Sequence, residues 1–378
     1  MRLVIGGDFV PTKKNIKEFI DGNGTTLFGE ELEELFSKSD FNIFNLETPL
    51  ADSVTPIQKC GPNLIAPTDC INGYTAANAN LLCLANNHIL DQGAVGLYST
   101  IKAVNDAGIS IVGVGHNISE ASRPFIIRSN DLTIGVYACA EIEFSIATNK
   151  TPGANPFDSL ESLDHISSLK KQCDYVIVLY HGGKEYYRYP SPLLQKRCRK
   201  MIEKGANLVI CQHSHCIGCY EAYLGGQIVY GQGNFLFDHG DNEYRNTGLL
   251  VIVDITTFGH SIEYCPVIKQ GEYVRMADEK SKNEILSSFE ERSAHIEDDE
   301  YLMVQYSSFA KKKINGYLGA SLGKTGSSFL GRAINYISRR TIWKHLFSRK
   351  NLLAIQNYIE CEAHRELFIQ GIKEELKK

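Results

Sequence analysis

The chain has 378 residues, 43% hydrophobic and 22% charged, with a formal net charge of −5. That is the composition of a folded protein of one large domain or two modest ones. It gives no reason to expect nucleic acid as a partner, and no apolar run approaches the ~20 residues of a membrane helix. The opening MRLVIGGDFVP carries too short an apolar run for a signal-peptide core and reads as a first β-strand. A cytoplasmic location is therefore expected.

Nine apolar, β-branched runs read as strands: 2–8, 41–47, 81–88, 109–115, 132–140, 175–183, 208–215, 227–235 and 248–255. Helical patterns fall between many of them, at 29–38, 94–107, 159–172 and 191–204. Strands with continuous apolar content alternating with helices argue an α/β core whose sheets are buried on both faces. Runs 227–235 and 248–255 have no helix between them and are expected to pair antiparallel.

Composition shifts near residue 271. Residues 276–300 are strongly charged, and 306–350 carries ten Lys or Arg, no Asp or Glu, and the one tryptophan, Trp343. The expected organisation is a domain over 1–270 and a mainly helical, basic extension over 271–378. The basic stretch is either a solvated face or a docking surface for an anionic membrane or a lipid-linked phosphorylated glycan, which would place the chain peripherally on the inner face of the membrane. The segment GASLGKTG (319–326) lacks the first glycine and the preceding strand of a P-loop. The eleven cysteines are scattered and often sit in apolar runs, as reduced thiols do. Only Cys216 and Cys219 have CxxC spacing, with no second such pair to complete a zinc site.

The strand ends carry the chemistry. Apolar runs stop at Asp8, Glu47, Asn86-Asn87-His88, His181, His213-Ser214-His215 and Asn234. In α/β sheets, ligands bind beyond the carboxyl ends of strands. Singly, each residue has a bland reading as a turn, a helix cap or a solvated end. Jointly, two carboxylates, an amide oxygen and three imidazoles form a mixed N/O set suited to Zn, Fe, Mn or Ni as divalent ions. A central carboxylate can bridge two such ions, as in phosphate-ester hydrolysis.

In order, GD, NLE, ANNH, HGGKEY, QHSH and GQGNF resemble the bacterial capsule-synthesis family associated with poly-γ-glutamate capsules, within the calcineurin-like metallophosphatase superfamily. The resemblance covers roughly residues 1–255. It implies a four-layer αββα sandwich with the metal site at the ends of its two central sheets. It implies two divalent ions, with Asp8, Asn87, His181, His213 and His215 as ligands and Glu47 as the bridging carboxylate. It implies His88 as the catalytic histidine and Asn234 as a positioning residue. Asp91 either holds His88 or caps a helix beginning near Gly93. Asn86, Lys184, Glu185 and Tyr186 are expected to line the substrate pocket.

Three departures stand out. The first motif reads Asp8-Phe9-Val10 where Asp-x-His is common, so one ion lacks a nitrogen ligand. Glu47 stands where Asp is commoner, and Gln212 where Gly is usual. The family's capsule proteins are often membrane-anchored and outside the cell, whereas no anchor or signal is legible here.

The expected function is a dinuclear metal-dependent phosphoesterase in capsule, surface-polysaccharide or poly-γ-glutamate biosynthesis. Water activated by the ions attacks phosphorus, His88 is the general acid, and the substrate is a phosphorylated or polymeric anion. The competing readings are a non-catalytic metal-binding component of polymer synthesis or export, and a metal-dependent amide or ester hydrolase.

Overall fold

The computed structural model describes residues 1–129, 131–237, 242–321, 333 and 346–376. They form two compact units, Met1–Tyr306 and Ser307–Lys378.

Two large sheets organise the first unit. In spatial order the first contains β16 (Tyr273–Met276), β15 (Gly259–Gln270), β14 (Thr247–Thr256), β1 (Arg2–Val10), β2 (Phe41–Asn45), β3 (Ala79–Cys83) and β4 (Ser110–Val112), and β13 (Asn234–Phe237) also pairs with β1. The second runs β11 (Tyr220–Tyr223), β12 (Gly226–Val229), β10 (Leu208–Gln212), β9 (Tyr175–His181), β7 (Thr133–Ala140) and β6 (Phe125–Arg128). A two-stranded ribbon joins β5 (Val114–Gly115) to β8 (Gly153–Ala154). Strands β1 to β4 are mutually parallel, as are β7, β9, β10 and β12, so their carboxyl ends collect along one edge of each sheet.

Side-chain alternation builds the layers. Leu3, Ile5, Ile43 and Leu81 point from the first sheet onto Val136, Ile177, Leu179, Leu208 and Ile210 of the second, all fully buried. From the other face of the first sheet, Val4, Phe9, Phe44 and Leu82 meet Leu32 and Phe36 of helix Glu30–Lys38 and Leu97 and Val104 of helix Gly93–Asp106. From the outer face of the second, Tyr137, Val176, Val178 and Val209 meet Ile166 and Leu169 of helix Ser162–Lys170 and Leu194, Cys198 and Met201 of helix Pro192–Glu203. The result is the expected four-layer α/β sandwich, helix–sheet–sheet–helix.

The run 227–235 is not one strand. Its first half pairs in the second sheet as β12, its second half crosses to the first sheet as β13, and it is β15 that lies antiparallel along the outer side of β14. The break falls at Gly231 (φ 143°) and Gly233 (φ 73°), conformations that favour glycine. The crossing also brings Gly233 against β1. A Cβ on Gly7 would lie 2.1 Å from the Gly233 carbonyl oxygen, so the glycine pair before Asp8 permits this close approach.

The expected boundary at residue 270 lies inside the compact unit. β16 completes the first sheet, and helix Glu279–Ser293 buries Phe289 between Tyr220 and Tyr264, with ring centroids 5.1 and 4.9 Å away. Helices Arg349–Glu360 and Glu362–Glu375 belong to the second unit. No helix among the described residues is long and apolar enough to cross a membrane. Much of the basic stretch 306–350, including Trp343 and residues 322–326 of the glycine-rich segment, lies outside the described residues. All eleven cysteines are free, and Cys216 and Cys219 are buried.

Candidate metal centre

Four strand ends deliver six polar residues to one place. Asp8 ends the regular part of β1, Asn45 ends β2, Glu47 follows it, His181 ends β9, and His213 and His215 follow β10. Asp8, Glu47, His181, His213 and His215 are all buried. The two histidines flanking Ser214 have positive φ, 80° for His213 and 53° for His215. Such a conformation costs a non-glycine residue ~1–3 kcal/mol and is held only where its surroundings over-determine it. The left-handed turn lets neighbouring imidazoles serve two different nests.

The first nest gathers around His181. Its Nε2 lies 3.2 Å from Glu47 Oε1, 3.1 Å from Asn87 Oδ1 and 3.2 Å from His213 Nδ1. One ring nitrogen with at most one proton cannot make three such contacts as hydrogen bonds. The second nest gathers around His215. Its Nδ1 lies 2.9 Å from Asn234 Oδ1 and 3.2 Å from Asp8 Oδ2. Glu47 belongs to both groups of potential ligands, Glu47–His181–His213 and Asp8–Glu47–His215.

The residues fit bound metal on their own geometry. Both Glu47 carboxylate oxygens and Asp8 Oδ2 are buried without a hydrogen bond, although imidazole nitrogens approach two of them. An unpaired buried carboxylate oxygen is costly unless paired with a proton donor or a metal. Metal–ligand bonds of about 2.0–2.2 Å place neighbouring ligand atoms roughly 3–3.5 Å apart, which is the spacing seen here.

The electrostatics are those of a crowded charged cluster. Burial alone would raise the Asp8 carboxyl, but His215, His181 and the Asn45 amide outweigh it and hold the group far below the ordinary carboxylate range. Burial alone would lower His215, but Asp8 and Glu47 push it up to about 9. His181 is likewise raised, chiefly by Glu47 against its burial. His213 goes the other way, well below the usual imidazole value, through burial and the neighbouring His181 and His215.

A separate unit stands beside the cluster. His88 Nδ1 donates to Asp91 Oδ2 at 2.6 Å, and Asp91 is fully buried. Asp91 therefore holds His88, and helix Gly93–Asp106 begins after Gln92 without a side-chain cap.

The expected pocket residues separate. Asn86 is a brace: its Nδ2 donates to Leu46 O at 2.9 Å and Asn45 Oδ1 at 3.2 Å, and its Oδ1 accepts from His88 N at 3.2 Å. It is fully buried, and these bonds orient the loop. Lys184 is half-buried and Glu185 exposed, and neither side chain bonds to a cluster residue. Tyr186 does come in: its backbone N–H donates to Ser214 O at 2.8 Å, its ring centroid is 6.2 Å from that of His215, and its hydroxyl accepts from Arg245 Nε at 2.9 Å.

Sequence reasoning missed two residues. Asn45 donates to Asp8 Oδ1 at 2.7 Å and lies 3.4 Å from His181 Nδ1. Its position at the end of β2, two residues before Glu47, was a usable signal. Lys59 pairs with Asp91 Oδ1 and lies 3.2 Å from His88 Nδ1. It sits in an irregular loop, and nothing in its local pattern marks it. A cavity of about 810 Å³ lies elsewhere, on the outer side of the second sheet among Phe157, Leu163, Arg197, Tyr223 and Leu302.

Residues 2–239 match the family described as bacterial capsule synthesis protein PGA_cap. The chain belongs to that family. It is 30% identical over 246 residues to the capsule biosynthesis protein CapA of Bacillus anthracis, covering 63% of this chain and 60% of the relative. It is 28% identical over 239 residues to the PGA biosynthesis protein CapA of Bacillus subtilis, covering 62% and 63%. The matched region thus spans less than two thirds of these relatives' length. Among solved structures, a phosphatase from Mycoplasma pneumoniae aligns at 16% identity over 71% of this chain and 93% of its own, with a TM-score of 0.43.

Proposed function

We propose that this family member is a dinuclear metal-dependent phosphoesterase acting in capsule or surface-polymer biosynthesis. The observation that carries the reading is Glu47, buried, without hydrogen bonds at either oxygen, and shared by two ligand nests beside a His88–Asp91 pair. Glu47, Asn87, His181 and His213 would hold one ion, and Asp8, Glu47 and His215 the other. Two divalent ions there supply Lewis acidity toward a phosphoryl oxygen and an activated water.

The chain's own residues do the rest. Asn45 and Asn86 fix the strand ends so that the ligands need little rearrangement on loading. Asp91 keeps a proton on His88 Nδ1, so the opposite ring nitrogen is the one that can hand a proton to a leaving alkoxide. The buried walls exclude bulk water, which strengthens each polar contact.

The relatives' names specify capsule and PGA biosynthesis and no reaction. They favour, as a second reading, a metal-binding component of polymer synthesis that turns nothing over. Metal analysis with aryl-phosphate and phosphodiester assays separates the two, on wild type, His213→Ala and His88→Ala. Two ions per chain, Mn²⁺-stimulated turnover, reduced metal in His213→Ala, and lost activity with retained metal in His88→Ala are expected. Metal without turnover on any ester supports the second reading. No metal under any loading condition sinks the site.

A further inference from the structure

The segment between β2 and β3 places a charge where the sequence shows only a loop. Residues 52–56, 58 and 60–62 are exposed, yet the Lys59 side chain is 3% exposed. Its ammonium pairs with Asp91 Oδ1 and stands 3.2 Å from His88 Nδ1. Burying a lysine costs several kcal/mol before its partner is counted, so the position is a committed one.

The segment is fastened to the turn that carries His88. Leu64 N donates to Asp91 Oδ2 at 2.6 Å, and Ile57 N to Asp91 O at 3.0 Å. Thr55 N donates to Gln92 Oε1 at 2.7 Å, and Gln92 Nε2 donates to Leu64 O at 3.0 Å. Asp91 Oδ2 therefore serves His88 and Leu64, while Oδ1 pairs with Lys59. Removing Lys59 leaves a buried carboxylate oxygen unpaired, and the carboxylate plane that holds the His88 ring loses one of its fixed points.

We propose that Lys59 is a positioning residue of the proton-donor unit, acting on His88 through Asp91 and not through the phosphoryl group. This rests on the phosphoesterase reading above. It implies a specific consequence: Lys59 matters in proportion to how much the leaving group needs a proton.

The test uses the full-length, Mn²⁺-loaded protein with p-nitrophenyl phosphate, phenyl phosphate and an alkyl phosphate. Nitrophenolate departs without protonation, whereas an alkoxide does not. For Lys59→Met, kcat is expected to fall about 100-fold on the alkyl ester, the lower end of general-acid effects, and less than about threefold on the nitrophenyl ester. KM, inhibition by inorganic phosphate and metal content stay at wild-type values. Lys59→Arg, whose guanidinium can still pair with Asp91, restores most of the alkyl-ester rate.

A uniform loss across the series with weakened phosphate inhibition overturns the inference in favour of direct substrate binding. A uniform loss with reduced metal content or a lowered Tm overturns it in favour of a purely structural role. If Lys59→Met does not fold, Lys59→Gln and Lys59→Arg carry the same comparison, and an unchanged leaving-group dependence in Lys59→Gln overturns the proposal. Absence of turnover by wild type on every ester is a different failure, since it removes the phosphoesterase reading and this inference with it.

Discussion

Asp8 and Asn234 are register partners across β1 and β13, and each aims a side-chain oxygen at the same nitrogen, His215 Nδ1, from 3.2 and 2.9 Å. Val10, two residues after Asp8, is apolar and buried and offers no ligand atom. Asn234 Oδ1 is an added oxygen at the Asp8 nest, and its Nδ2 is buried without a partner. Asn234→Ala is therefore expected to lower metal content toward one ion per chain while the His181 nest stays loaded. Elemental analysis after Mn²⁺ loading checks this. Full occupancy in Asn234→Ala assigns the residue to orientation of His215 alone.

The pH dependence follows from His215, whose folded value is pushed up to about 9 by Asp8 and Glu47 against its burial. The unfolded imidazole titrates near about 6.5. A raised folded value means that its stabilisation is complete below about pH 6.5 and is lost as pH rises through about 9. His213, held well below the usual value, acts in the opposite sense at lower pH: its contribution is present above about 6.5 and fades as pH falls. It is already neutral across the alkaline window. The metal-free protein should therefore lose Tm between pH 6.5 and 9. A metal must displace the His215 proton, so apparent affinity should rise over the same range and level off above it. Thermal melts of chelator-treated protein and Mn²⁺ titrations at matched pH values check both. A Tm that climbs through this window would contradict the charge arrangement described here.

How much of this was legible follows from which signals are local. Asp8, Glu47, Asn87, His181, His213 and His215 each sit where an apolar run stops, so chain order alone exposed them as a set. The α/β core was legible because runs such as Leu3-Val4-Ile5 are apolar at every position, as a strand buried on both faces must be; the four-layer arrangement was implied by the family resemblance. The switch of β12 to β13 was not legible, since 227–235 is uniformly strand-like and only the backbone at Gly231 and Gly233 reveals the break. Lys59 was invisible because its role depends on where an irregular loop crosses Asp91, which no periodicity encodes. The unit boundary moved from 270 to 306 because the charge of 276–300 hid Phe289, a single buried anchor on a polar helix.

The last prediction concerns what holds the first ligand still. Phe9 follows Asp8 and is fully buried, with its ring centroid 4.5 Å from that of Tyr74, 4.9 Å from Phe235, 5.1 Å from Phe19 and 5.4 Å from Phe44. Tyr74 Oη also donates to the Phe9 carbonyl at 2.6 Å. The register of β1 slips between Asp8 and Phe9, where the strand takes up β13, so this cluster fixes the backbone at the point where the carboxylate leaves it. Phe9→Ala removes the centre of the cluster and should cost about 3–5 kcal/mol, the range for a buried aromatic truncated to alanine. Phe9→Leu keeps most of the volume and should cost markedly less. Urea unfolding of the metal-free protein measures the loss without the contribution of bound ions. If the aromatic cluster also positions Asp8, metal content at limiting Mn²⁺ should fall in Phe9→Ala even at temperatures where the variant is fully folded. Stability lost with metal binding unchanged would confine Phe9 to the core and leave Asn45 as the group that aims Asp8.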